Sequence, residues 1–348
     1  MGSETAGRPA RVRATVRGSV QGVGFRYWVQ RQARVAGVMG WVRNQPDGSV
    51  ECLLQGPSAG VDQMVAKLRQ GPRMASVETV DLELEAALDD LREPVTSRSS
   101  SSRRGRLRVG TSGWQYRHWR GVFYPEGLPQ RAWFGFYATH FDTVEVNNTF
   151  YRLPAEPTFG KWEERAPPGF RYALKGSRFI THLKRLREAK APLAEFARRA
   201  GAIEVHRGPV LWQLPPVLAR DDELLRLFLA SLPAGFRHTV EFRHRTWLDP
   251  AVFAMLRERS VALCVPDRPG LSRSLELTAA WTYLRFHAGA AGGDYTEAQL
   301  EEWSDRIAGW LEEGVSVWAY FNNDQSGYAI SNARRLLERI RQRRPDPR

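Results

Sequence analysis

Residues 11–16, RVRATV, alternate polar and apolar, the period of two that turns one face of a strand toward a core. FRYWVQRQARVAG (25–37) reads as a helix and GWVRN (40–44) as a strand, and a Pro46-Asp47-Gly48 turn sends the chain back into SVECLLQ (49–55). Ser58 is placed to cap a helix running to about Gln70, and SVETVDLEL (76–84) alternates like a strand with one buried face. The order βαββαβ in about eighty residues predicts an α+β sandwich of ferredoxin-like type.

TSRSSSSRRGR (96–106) has no apolar residue to anchor a core and predicts a linker. Beyond it the rhythm changes to short apolar strands, each followed by a helix-compatible stretch. The strands are LRVGT (107–111), TVEVN (143–147), RYALK (171–175), PVLWQ (209–213), HTVEF (238–242), VALCV (261–265), TYLRF (282–286) and VWAYF (317–321). Eight such β/α units in roughly 235 residues have the size of an α/β (β/α)8 TIM-type barrel. Residues 269–279, between the sixth and seventh strands, leave room for little more than a short helix. The expected organisation is a domain over 10–95, a linker over 96–106 and a barrel over 107–341.

A chain of 348 residues that is 42% hydrophobic and 26% charged, with a mean hydropathy of -0.45, can build a sizeable core and is not wholly disordered. It has no uncharged apolar run long enough for a transmembrane helix, and MGSETAGRPA lacks the apolar segment of a secretory signal. A cytoplasmic location with no membrane association is expected. Cys52 and Cys264 are too few for a disulfide framework or a thiolate metal site and read as buried thiols. The net charge of +13 resembles a nucleic-acid footprint, but nine of those charges lie in residues 98–108 and 339–348. Two readings follow: weak nucleic-acid contact through the basic linker and tail, or a solvated linker and tail.

Ser19, Val20, Gln21, Gly22, Val23, Gly24 and Phe25 form a glycine-bearing loop that opens a helix, with Arg26 just inside it. Such a loop lets several amides converge at a helix N-terminus, and Arg26 adds a planar fork for phosphate oxygens. No Lys-Ser or Lys-Thr follows, so the P-loop pattern for nucleotides is not met. GSVQGVGFR, GWVRN and PDGSVE, in this order and spacing, resemble the acylphosphatase family over about residues 10–86. The resemblance implies that Arg26 binds phosphate and that Asn44 positions water. A carboxyl phosphate has a good leaving group, so placement and charge stabilisation can supply most of the acceleration, and no metal or cofactor is expected. The structural alternative makes Arg26 a solvated helix residue and Asn44 a turn former. Family members generally finish with a further short strand, whereas residues 88–95 here are acidic and contain Pro. A hydrogenase-maturation setting for this module requires paired CxxC zinc motifs, which are absent.

In a barrel of this kind the site lies where strands end, and nearly every end here is polar. The candidates are Glu145, Asn147, Lys175, Gln213, Glu241, Arg243, Asp267, Arg285, His287 and Asn322. The segments GTSGWQYRHWRGVFYP, FDTVEVNNTFYRLP, ALKGSRFITH, LWQLPP, EFRHRTW, YLRFHA and YFNNDQSGYAISNA resemble the YecE-like family, domain of unknown function 72, which implies a barrel of unassigned activity. Three readings compete. Glu145 and Glu241 form an acid/base pair for a sugar or nucleoside, with Trp114, Tyr151 and Trp247 for stacking. Alternatively Glu145, His182, Glu241, Asp267 and His287 hold a divalent metal. Lastly, the two glutamates neutralise Lys175, Arg243 and Arg285. Lys175 stands out as one of five lysines among 51 basic residues. The expected activity is hydrolysis of a small-molecule acyl phosphate. The alternative is a protein binding a phosphorylated ligand or nucleic acid, its function set by the barrel as a sugar- or nucleotide-directed hydrolase.

Overall fold

A computed structural model of the chain describes residues 9–45, 47–85, 96–97 and 105–343. The chain forms two compact units, Met1–Arg106 with Asp305–Val315, and Leu107–Ser304 with Ser316–Arg348.

In the smaller unit β1 (Pro9–Ser19), α1 (Phe25–Val35), β2 (Met39–Asn44), β3 (Val50–Pro57), α2 (Ser58–Gln70) and β4 (Ser76–Glu85) follow the expected βαββαβ order. Their sheet runs β4-β1-β3-β2, and β5 (Thr96–Ser97) adds a short parallel edge beside β2. The first two residues of the expected linker therefore belong to the sheet. Residues 98–104 and the acidic stretch 88–95 lie outside the described residues. Phe25, Val29 and Ala33 recur every fourth residue on α1 and pack with Val61, Met64 and Leu68 of α2. They cover the inward positions Val12, Ala14, Val16, Val50, Cys52 and Leu54 of the strands. On the opposite face the alternate residues Arg11 and Arg13 pair with Glu85 at 3.0 and 2.7 Å, and Arg13 also reaches Glu51 at 2.8 Å.

The register of this sheet places the first candidate site. Val50 is the cross-strand partner of both Val16 on β1 and Asn44 on β2. Since β1 and β2 both run antiparallel to β3, their C-terminal ends emerge at one edge of the sheet, two strand spacings or about 10 Å apart. The turn out of β1 also depends on Gly18, where the β1–β4 register shifts. Gly18 has φ 124°, and a Cβ there would stand 2.1 Å from the Ser76 carbonyl oxygen.

The larger unit holds β6 (Leu107–Thr111), α3 (Trp133–Ala138), β7 (Thr143–Val146), α4 (Asn148–Tyr151), α5 (Glu156–Arg165), β8 (Arg171–Lys175), α6 (Lys190–Ala200) and β9 (Arg207–Gln213). It continues with α7 (Asp222–Ser231), β10 (His238–Glu241), α8 (Pro250–Glu258), β11 (Ala262–Asp267), β12 (Trp281–Phe286), β13 (Ser316–Phe321) and α10 (Tyr328–Arg343), and α9 (Glu297–Glu312) begins here. The eight strands are parallel in the order β6-β13-β12-β11-β10-β9-β8-β7. A parallel bridge between Ser112 and Glu145, with the Gly113 amide donating to the Glu145 carbonyl at 2.9 Å, links β6 to β7. Each expected strand is present within two residues of its expected limits. Between β11 and β12 the chain has no helix. Thr278 pins that connection instead, accepting from the Leu263 amide and donating to the Val261 carbonyl at 2.8 and 2.7 Å.

Part of the positive charge is answered locally. Arg108 pairs with Asp142 at 2.8 Å and covers the Trp318 ring, while Arg339 and Arg343 on α10 pair with Glu301. Arg98, Arg103 and Arg104 of the linker and Arg344 and Arg348 of the tail lie outside the described residues.

Gly18→Ala should lower the stability of the smaller unit by about 2–4 kcal/mol, because backbone must move to admit the methyl group and φ is positive. Urea unfolding checks this, and a change within 0.5 kcal/mol, the usual range for a surface substitution, would contradict the close approach.

Candidate functional site

Gly22 and Gly24 carry the loop between β1 and α1 through left-handed backbone, both at φ 74°. Gly24 precedes the helix and its carbonyl accepts from the Trp28 amide at 3.0 Å. The amides of Phe25 and Arg26 lie in the first turn, where a helix supplies no internal acceptor and its dipole adds positive potential. The side chains of Val20 and Phe25 are buried and Val23 packs against the same core, and the Val20 amide is already spent on the Gly18 carbonyl at 2.9 Å. Gln21 fastens the loop to the β2–β3 turn, donating to the Gln45 and Ser49 carbonyls at 2.8 and 2.7 Å. Asn44 immediately precedes Gln45, and its side-chain oxygen is buried without a hydrogen-bond partner. Asp47 holds the turn by accepting from the Ser49 amide and hydroxyl at 3.0 and 2.6 Å; these bonds and Arg17 keep its carboxyl down at about 2. Pro46 of the expected turn lies outside the described residues.

Arg26 is only 4% exposed. Within the same compact unit the Glu313 carboxylate lies 3.7 Å from Arg26 Nε, and Trp310 donates its indole N–H to the Gly22 carbonyl at 2.7 Å. Neither Arg26 Nε nor Glu313 Oε1 makes a hydrogen bond. Burial pushes the Glu313 carboxyl up to about 7, against the pull of Arg26 and with Glu312 adding to the rise. Sequence reasoning misses Glu313 because no local pattern joins it to the loop; Trp310 and Gly22 are 288 positions apart.

In the barrel, residues two apart on a strand share a face. Ala173, Leu211, Tyr283 and Tyr320 form part of an apolar cluster, and two positions further along stand Lys175, Gln213, Arg285 and Asn322. Arg285 is the hub of this layer. Its Nε and Nη2 donate to the two oxygens of Glu145 at 2.9 and 2.8 Å, and Nη1 donates to Glu241 at 2.8 Å. Glu145 also accepts from Ser112 at 2.7 Å and Tyr283 at 2.8 Å. Glu241 accepts from Gln213 at 2.9 Å and from the Cys264 thiol at 3.8 Å, and pairs with Arg243. Glu145 thus accepts from four donors, which fills its lone pairs, and Glu241 accepts from Gln213, Cys264 and Arg285 with Arg243 as an ion-pair neighbour. Burial works to raise both carboxyls, but Arg285 overrides it: Glu145 stays below the ordinary range, and Glu241, with Arg243 also near, is held at about 2.

His287 completes the cluster. Its Nε2 accepts from Arg243 at 3.0 Å, and the Asn322 side-chain amide stands 3.0 Å from Nδ1. Burial and Arg285 lower this ring to about 3, so it is neutral. Lys175 is lowered to about 8 by burial and Arg285, and its ammonium rests 4.1 Å from the centre of the Phe150 ring. Asp267 turns aside to accept from the Trp303 indole at 2.8 Å and to pair with Arg273. Asn147 joins no member of the cluster and leaves a buried side-chain oxygen unpartnered. Trp247 is stacked on Phe242 in the core, where it offers no stacking surface to a ligand. Among the described residues no three of His, Cys, Asp or Glu come together to hold a metal ion. Tyr283 and Phe150 are missed by sequence reasoning; the spacing of Tyr283 two before Arg285 is the signal that could have found the first.

The family profile "Acylphosphatase" matches residues 12–92, and "Protein of unknown function DUF72" matches residues 108–348. The chain belongs to both families. Its acylphosphatase part is 58% identical over 66 residues to an acylphosphatase of Nitrobacter hamburgensis, covering 19% of this chain and 67% of that protein. It is 46% identical over 83 residues to one of Salinibacter ruber, covering 24% of this chain and 87% of the relative. The DUF72 barrel superposes on the crystal structure of a DUF72 family protein from Thermotoga maritima with a TM-score of 0.60 and 28% identity, covering 67% of this chain and 98% of that one. No helix among the described residues is long and apolar enough to cross a membrane.

In the DUF72 barrel, Glu241→Gln should destabilise the fold by about 3–5 kcal/mol, since Arg285 and Arg243 would lose their shared counter-charge. The folded Glu241 carboxyl sits at about 2, below an unfolded value of about 4.3. Its contribution is therefore complete above about pH 5 and is lost as pH falls toward 2. Denaturant unfolding between these limits should show a shallower acid loss in the variant.

Proposed function

We propose that the N-terminal domain hydrolyses acyl phosphates, with Arg26 and the amides of the 19–25 loop, Val20's excepted since it donates to the Gly18 carbonyl, holding the phosphoryl oxygens and Asn44 orienting the attacking water. The observation that carries this reading is the shared sheet edge. Val50 pairs with both Val16 and Asn44, so the loop and the unpartnered Asn44 oxygen open side by side. That oxygen is an acceptor for a water O–H, which leaves a lone pair of the water free to approach phosphorus. A new O–P bond forms as the bond from phosphorus to the acyl oxygen breaks. The carboxylate departs, and the water proton passes to a phosphate oxygen. Placement and fixed positive potential supply the acceleration, as expected for a transition state in which charge is spread over the phosphoryl oxygens.

Benzoyl phosphate hydrolysis by the intact chain tests this and should persist in excess chelator. Arg26→Ala should lower kcat/KM by about 10²–10³-fold and weaken phosphate inhibition, whereas Asn44→Ala should lower kcat by a similar factor with KM nearly unchanged. Equal and mild effects of both substitutions would contradict the assignment.

Glu313 adds a pH dependence. Its carboxyl, raised to about 7 and facing Arg26 with Glu312 nearby, becomes an anion as pH rises through neutrality and then competes with phosphate for the guanidinium. Glu313→Gln should tighten inhibition by inorganic phosphate by about tenfold at pH 8, the equivalent of about 1.4 kcal/mol, and change it little at pH 6. Parallel inhibition curves at the two pH values check this.

A further inference from the structure

We propose that the barrel mouth beside Lys175 binds a small organic monocarboxylate with an apolar or aromatic body. The charge balance of the polar layer is the first support. Two anions, Glu145 and Glu241, are answered by two cations, Arg285 and Arg243, through direct contacts. His287 accepts from Arg243 and contributes no charge. Lys175 is therefore the unmatched cation. It is 9% exposed, and among the described residues its ammonium meets no hydrogen-bond acceptor or carboxylate; its close contact is the Phe150 ring. An ammonium on a largely buried stem, with three donors and no protein acceptor, has hydrogen bonds to offer a ligand. A ligand with one negative charge would satisfy the donors and balance the layer. Glu145 accepts from four donors and Glu241 from three, with arginines paired to both, so their place is that of internal counter-ions and not of an acid/base pair.

The second support concerns the body of the ligand. The connections that follow β7 and β8 expose large apolar side chains, Tyr151 at 69%, Phe179 at 47% and Leu183 at 62%. Phe179–Leu183 is a π-helical turn four residues after Lys175, a form frequent at functional sites. Arg185, Leu186 and Glu188 then take left-handed backbone, at φ 50, 70 and 47°. Three non-glycine residues in that region within four positions are strained, and such strain concentrates where ligands are held. A surface groove of 460 Å³ runs from this left-handed segment, at Leu186, Arg187 and Glu188, toward α6 and α7, and a second of 470 Å³ borders the start of α7; neither shares a residue with the polar layer.

The test uses the intact chain carrying Arg26→Ala, so that anions are not read at the N-terminal loop and the result does not depend on the acylphosphatase reading. Benzoate, acetate and inorganic phosphate are titrated by calorimetry, and lysines are labelled with an amine-reactive reagent and mapped by mass spectrometry. Benzoate should bind at least about tenfold more tightly than acetate or phosphate. It should slow labelling of Lys175 and leave Lys67, Lys161, Lys184 and Lys190 unchanged. Lys175→Met should cost at least about tenfold in benzoate affinity, while melting no lower than its parent because Lys175 has no bond to lose. If Lys175→Met does not fold, protection of Lys175 in the parent decides. Benzoate that neither binds nor protects Lys175, or binds Lys175→Met equally well, overturns the proposal. Tighter binding of phosphate than of benzoate overturns the choice of a carboxylate.

Discussion

Arg285 is a guanidinium 1% exposed inside a barrel, and the polar layer around it is arranged to make that burial tolerable. Taking a charge of this size out of water costs several kcal/mol, which attraction recovers only when the counter-ions are close and every remaining donor and acceptor is met. The planar fork of arginine makes this geometry available. It engages both oxygens of Glu145 and still reaches Glu241, two contacts that a lysine ammonium cannot make in one plane. Tyr283, Ser112, Gln213 and Cys264 then take up the carboxylate lone pairs that Arg285 leaves. β6, β7, β9, β10, β11 and β12, with the residues that follow them, supply these groups, so the ion cluster also ties together strands far apart in the chain.

The two candidate sites handle negative charge by different means. At the N-terminal loop, positive potential comes largely from backbone amides and a helix end, which glycines allow to approach an anion, with Arg26 as the one formal charge. In the barrel's polar layer it comes from side chains already committed to one another, and Lys175 is the cation of that layer whose donors meet no acceptor among the described residues. Site chemistry differs accordingly. The loop suits a phosphoryl group with several oxygens to be held at once, whereas the barrel offers one localised charge beside apolar side chains. Glu313 shows how a carboxylate can stand 3.7 Å from the Arg26 Nε with neither that nitrogen nor its own Oε1 hydrogen-bonded, buried at the cost of an elevated pKa.

Much of this architecture was legible in the residues. Alternation in 11–16 and 76–84, the helical stripe of Phe25, Val29 and Ala33, and eight apolar strands at β/α spacing express backbone periodicities that operate over a few residues. The glycine loop and Asn44 were legible for the same reason, since they sit at the ends of elements whose order already implies a common edge. Thr96–Ser97 was not, because two residues with no apolar character carry no strand signal until β2 is present to pair with them.

Strand ends in the barrel identified polar residues that share a layer, but not which of them touch. Glu145 and Arg285 are 140 positions apart, and only closure of the barrel brings them together. Asp267 ends a strand just as Glu241 does, yet Trp303 and Arg273 draw it aside, a competition invisible to a pattern with a period of two. The same closure brings donors to both oxygens of Glu145 and of Glu241 and, among the described residues, leaves Lys175 without an acceptor. Local sequence therefore determined the elements, their faces and the residue types at the strand ends, because those follow from backbone geometry and side-chain chemistry alone. Which charges neutralise each other and which one is left over was decided by the tertiary structure, because hydrogen-bond saturation is a property of neighbours in space.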